Sequence, residues 1–110
     1  MENRKQKLLA DLAVVIDELE RYTAGVALER FLTDRSLQLI VEREFEILGE
    51  ALNRLLRVNS EVEKQIPEIH RIIGLRNILA HGYDAIDYRI LWSAVVDHLT
   101  ILKADLEKLD

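Results

Sequence analysis

With 110 residues, 49% of them hydrophobic and 32% charged, and with only four Gly and one Pro, the chain has room for one domain. Folding at that size should remove roughly 65% of the surface of the unfolded chain, and the composition suits long amphipathic helices. The lack of cysteine excludes a disulfide framework and a thiolate metal site, while a polar opening and no apolar run near the ~18 residues a span requires predict a cytoplasmic protein without membrane contact. A net charge of −5 is awkward for nucleic-acid binding, so any phosphate contact depends on local positive charge, for which Arg54, Arg57, Arg71, Arg76 and Arg89 are the candidates.

In chain order, Leu8, Leu12, Val15, Leu19 and Tyr22 recur at spacings of four and three and predict a helix over 3–22. The pattern loosens over 23–35, where Gly25, Thr33 and Asp34 supply a bend, or a short extra helix near 24–33, and then an N-cap. A second, longest helix starts near Ser36 and carries Leu37, Val41, Phe45, Leu48, Leu52 and Leu55 before ending near Asn59 and Ser60. Gly49 inside it costs ~1 kcal/mol relative to Ala, which predicts close approach of a neighbouring helix.

Pro67 fits the first turn of a third helix over 68–81, and Gly82 stands where a left-handed residue would close it. After the turn from Gly82 to Ile86, Asp87 can cap a fourth helix that buries Tyr88, Leu91, Val95, Leu99, Leu102, Leu106 and Leu109. Short connections between four such helices predict an all-α, antiparallel four-helix-bundle-like fold in one domain over 1–110. Val14 and Ile16 flank the first stripe, and Trp92 and Val96 the last. This surplus predicts a second buried face and hence a symmetric homodimer, with Tyr88 and Trp92 as interface candidates.

Chemistry concentrates in Gly74-Leu75-Arg76-Asn77-Ile78-Leu79-Ala80-His81-Gly82-Tyr83. An Arg and a His on a helix ordinarily mean an ion pair and a C-terminal cap. The functional alternative is that Arg76 clamps a phosphate with its forked donors while His81 moves a proton and Asn77 orients the imidazole. On an ideal helix Arg76 and His81 are displaced by about 140° and ~7.5 Å along the axis, so Arg76 must reach around or a dimer must combine two sites.

Arg76-Asn77-x3-His81-x-Tyr83 resembles the signature of HEPN ribonucleases in its HepT form, Arg-x4-His-x-Tyr. Phe45 to Ala51, Ile72 to Asn77, Tyr83 to Asp87 and Ile90-Leu91-Trp92 are also similar to HepT segments, so the likeness covers about 37–109. The resemblance implies a HEPN fold and a dimeric toxin of a type VII-like toxin–antitoxin system, cleaving RNA without an obligatory metal or other cofactor. It further implies an MNT-type nucleotidyltransferase antitoxin as partner. Residue by residue, Arg76 and His81 become catalytic and Tyr83 the site of AMP addition. Glu50, in the first of those segments, becomes a supporting partner of Arg76 beside Asn77.

Other signals point to structure. Glu46 and Glu50, four apart, could pair as carboxylates, but glutamates at that spacing ordinarily meet solvent or arginine, as Arg54, Arg57, Arg71 and Arg89 ordinarily meet glutamate. His70 and His98 lack a second ligand at metal-site spacing and read as structural. A rival function is a catalytically silent helical dimer that docks on a nucleotidyltransferase, which would have no need of Arg76 together with His81. RNA cleavage by the isolated chain separates the two.

Overall fold

The computed structural model describes residues 2–82 and 86–109. Its elements are α1 (Glu2–Thr23), α2 (Leu28–Thr33), α3 (Arg35–Val58), α4 (Val62–Gln65), α5 (Ile69–His81), α6 (Tyr88–Ser93), a π-helical turn (Ala94–His98) and α7 (Leu99–Glu107). No strand occurs among the described residues. The body measures 44 × 28 × 20 Å, and α3 is its axis, packed by α1 on one side and by α5 on the other.

The axis is built as its pattern requires. Asp34 Oδ1 accepts from the Leu37 N–H at 3.0 Å and caps α3 as expected, the helix beginning at Arg35, one residue before the predicted Ser36. Val41, Phe45, Leu48, Leu52 and Leu55 are all fully buried, giving α3 a continuous apolar stripe and supplying most of its stability. Gln38 is the one buried polar side chain among the described residues. Its amide donates to the Phe31 carbonyl at 2.9 Å, satisfying an acceptor that the end of α2 would otherwise leave orphaned.

Residues 23–35 carry more structure than a bend. Gly25 takes φ +72°, a left-handed conformation that only glycine adopts cheaply, and turns the chain into α2. This short helix buries Phe31, which stacks on Trp92 with ring centroids 4.7 Å apart and meets Tyr88 edge-on at 6.1 Å. Trp92 therefore belongs to the core, at 7% exposure, and not to an interface. Tyr88 is half-buried, its hydroxyl donating to Glu42 at 2.6 Å and accepting from Arg35 at 2.8 Å.

Further expectations are corrected. Ile16 is core, whereas Tyr22 is 52% exposed, because the buried arc of α1 is centred between Leu12 and Leu19, with Ile16 at one edge and Val15 at the other, and leaves Tyr22 just outside it. Pro67 lies in the turn before α5, not in its first helical turn. Gly82 has φ −124°, so it is not the left-handed residue expected there; its N–H reaches the Ile78 carbonyl at 2.7 Å. The predicted fourth helix is capped by Asp87 as expected, but the π-turn interrupts it, and both parts still bury their leucines. Of the surplus apolar positions, Val14 and Val96 are exposed, at 58% and 51%.

The four-residue α4 was not foreseen; it buries Val62, and Ile66 follows into the core. Across α1 and α3, burial first and a hydrogen bond with Glu18 second raise the Glu44 carboxyl to about 7. Among the described residues no helix is long and apolar enough to cross a membrane.

Candidate functional site

α5 packs on α3 through Ile69, Ile72 and Leu79. Arg76 lies four residues beyond Ile72, about 40° away on the same side, so it points toward the core and not to solvent. Gly49 on α3 makes that possible. A Cβ there would come within 2.3 Å of Arg76 Cβ, 2.8 Å of its Cγ and 3.3 Å of the Ile72 carbonyl oxygen. The arginine stem thus runs over bare backbone, and its side chain remains only 27% exposed.

Beyond that crossing the guanidinium meets polar partners. Its Nη1 donates to Asn77 Oδ1 at 2.9 Å, and Nη2 lies 3.1 Å from Glu50 Oε1. The other Glu50 oxygen, Oε2, accepts from Arg54 Nε at 3.0 Å. One carboxylate therefore joins two arginines from different helices. This network borders a groove of about 450 Å³ between α1 and α3, whose walls include Asp11, Val14, Arg43, Ile47, Glu50, Arg54 and Arg76.

The structure brings Arg76, Glu50 and Asn77 together, as the expected site requires, but engages Asn77 with Arg76 and not with the imidazole. His81 ends α5, is exposed, and is not among the groove's lining residues; it sits about 140° around the helix axis from Arg76. Tyr83 lies outside the described residues. Arg54 was missed as a member of the network: its i,i+4 spacing from Glu50 is in the sequence, but its sharing of that carboxylate with Arg76 arises only when α3 and α5 pack.

The remaining candidates resolve into pairs. Glu46 meets Arg43 at 3.9 Å, so both Glu46 and Glu50 are held by arginine, as glutamates at that spacing ordinarily are. Glu63 meets His70 at 2.6 Å. His98 sits between Glu68, at 3.2 Å from Nδ1, and Arg71, at 3.0 Å from Nε2. Since Arg71 can only donate, Nε2 accepts and the proton is on Nδ1 facing the carboxylate. Among the described residues no three His, Asp or Glu side chains form a metal-ligand set.

The family model "Ribonuclease HepT-like" matches residues 12–109. The chain is 32% identical over 109 residues to "Probable ribonuclease HepT" of Thermococcus cleftensis, covering 99% of this chain and 98% of that protein. It is 29% identical over 101 residues to "Putative RNase MJ1380" of Methanocaldococcus jannaschii, covering 90% of each. It is likewise 29% identical over 85 residues to "Putative RNase TTE0752" of Caldanaerobacter subterraneus, covering 77% of this chain and 75% of the relative. No solved structure matches the chain. An all-α body that carries the Arg76 and His81 motif on one helix, a match over almost the whole chain and ribonuclease relatives lead to one assignment: the protein belongs to the HepT-like ribonuclease family.

Proposed function

We propose that the protein is the toxin of a type VII-like toxin–antitoxin pair. In this reading it cleaves RNA without an obligatory metal through Arg76 and His81, and it is silenced when an MNT-type nucleotidyltransferase attaches AMP to Tyr83. The observation that carries the reading is the arginine itself. A guanidinium is led across a glycine to the edge of a groove of about 450 Å³, within the size range of small-ligand sites.

The chemistry is transesterification. The ribose 2′-oxygen forms a bond to the adjacent phosphorus while the bond from phosphorus to the 5′-oxygen breaks, leaving a 2′,3′-cyclic phosphate. One group takes the 2′-OH proton and another gives a proton to the departing 5′-oxygen. Arg76 stabilises the charge on the phosphorane oxygens. A single chain has one motif histidine, so two His81 side chains in a symmetric homodimer supply base and acid, and the angular separation of His81 from Arg76 is met by combining two chains. AMP on Tyr83 would add bulk and a negative charge two residues beyond His81 in the chain, opposing the binding of a substrate phosphate sterically and electrostatically.

One observation favours the rival reading of a silent docking module: the Arg76 guanidinium is already engaged by Asn77 and Glu50. The separating experiment incubates the purified chain with RNA in the presence of EDTA. Fragments ending in 2′,3′-cyclic phosphate are expected, and Arg76→Ala or His81→Ala should lower the rate by about 10²–10⁴-fold with unchanged circular dichroism. Wild-type rates in either variant would overturn the assignment of that residue, and an inert wild-type chain would favour the docking module.

A further inference from the structure

We propose that Arg54 is a positioning residue for Arg76: by holding one oxygen of Glu50, it keeps that carboxylate from capturing the guanidinium edge that binds substrate phosphate. The inference rests on the reading that Arg76 contacts phosphate. It adds a residue that the motif does not contain.

The geometry is asymmetric. Arg76 approaches Glu50 most closely with Nη2 on Oε1, at 3.1 Å, and Oε2 is occupied by Arg54 Nε at 3.0 Å. Carboxylates and guanidinium groups left to themselves favour parallel two-bond pairing, which is both stronger and geometrically specific. Such pairing between Glu50 and Arg76 needs Oε2 as well, and there a second guanidinium would have to crowd against Arg54, which already donates to that oxygen. Asn77 Oδ1 accepts from Nη1, so among the described residues the five-N–H guanidinium keeps donors unspent beside the groove.

The balance of charge points the same way. Glu50 alone on Arg76 would neutralise it and make an incoming phosphate compete with a carboxylate. With Arg54 on the same carboxylate, the trio carries one net positive charge and the phosphate meets a cation. Arg54 is exposed and four residues from Glu50 on one helix, and a pair of that kind contributes little to folding by itself. Its contribution lies in how it divides the two oxygens of Glu50.

The test compares wild type with Arg54→Ala, Arg54→Lys, Glu50→Gln and the Arg54→Ala/Glu50→Gln double variant, using RNA cleavage and ¹⁵N spectra of the arginine side chains. Arg54→Ala should reduce kcat/KM by about tenfold, the scale of one charge-assisted hydrogen bond, at an unchanged melting temperature. Arg54→Lys, which can still hold Oε2, should recover most of the rate. Removing the carboxylate charge should suppress the defect, so that the double variant cleaves like Glu50→Gln alone. In the spectra, Arg54→Ala should slow rotation of the Arg76 Nη groups as Glu50 closes on them. The proposal is overturned if Arg54→Ala cleaves like wild type, if the double variant is as slow as Arg54→Ala, or if the Arg76 signals do not change. Arg76→Ala marks the other failure: if it cleaves at the wild-type rate, the phosphate role of Arg76 falls and this inference with it. The spectra report the Glu50 contact regardless of activity.

Discussion

Gly49 and Arg76 occupy one space: the backbone of α3 at Gly49 is where the Cβ and Cγ of Arg76 cross from α5, and a Cβ on Gly49 would lie 2.3 Å from Arg76 Cβ. The crossing lets an arginine occupy the core-facing side of its helix and still deliver its charge to Glu50. Stability and the placement of the guanidinium are thereby coupled at one residue.

Gly49→Ala separates the two contributions in size. Alanine gains ~1 kcal/mol of helix propensity over glycine, but forcing a methyl into a filled contact costs about 1–3 kcal/mol. The urea midpoint should therefore fall, by up to about 2 kcal/mol in unfolding free energy, and cleavage should fall as the guanidinium moves off Glu50. A variant as stable and active as wild type would show that the helices separate freely here.

Trp92→Ala tests where that ring belongs. With Trp92 stacked on buried Phe31 at 4.7 Å, truncation should cost about 3–5 kcal/mol, a large share of the 5–15 kcal/mol typical of a domain. Thermal melting should drop steeply at every protein concentration. A variant that melts normally but changes only its sedimentation would place Trp92 at an interface instead.

Glu44 predicts how stability depends on pH. Burial and its bond with Glu18 raise it from 4.5 to about 7 in the folded chain, so between those values the folded state holds a proton that the unfolded state has lost. The stabilisation from that group is complete below its unfolded value and is lost as pH rises through about 7. Glu44→Gln, which stays neutral, should flatten the decline and be more stable than wild type at pH above about 7. Parallel wild-type and variant profiles in urea titrations from acid to mild base would contradict this.

Tyr83→Phe tests regulation separately from cleavage. The ring is kept, so the variant should fold and cleave RNA at the wild-type rate, yet gain no AMP mass from the partner transferase with ATP and resist neutralisation. Silencing through modification elsewhere, or full activity of AMP-bearing wild type, would show that Tyr83 is not the switch.

Much of this protein is set by local pattern. The stripes from Leu8 to Leu19 and from Leu37 to Leu55 define α1 and α3, because apolar residues at helical spacing leave few alternatives to one buried face. The caps at Asp34 and Asp87 were legible for the same local reason: a side chain two or three residues from an orphan N–H reaches it in any context. The motif residues Arg76, Asn77 and His81 were legible as chemistry.

What required the tertiary structure was everything decided between helices. Tyr22 and Trp92 exchanged their expected environments because the breadth of a buried arc depends on which neighbours cover it: α2 supplies Phe31 to Trp92, and the α1 arc stops short of Tyr22. The π-turn at Ala94–His98 leaves no mark in the apolar spacing on either side of it. Gly49 was visible as a close approach, but its partner was not, and the sharing of Glu50 by Arg54 and Arg76 exists only because α3 and α5 pack with that crossing. Side-chain spacing determines a helix and its faces; the meeting of charges on two helices is fixed by the packing of backbone against backbone.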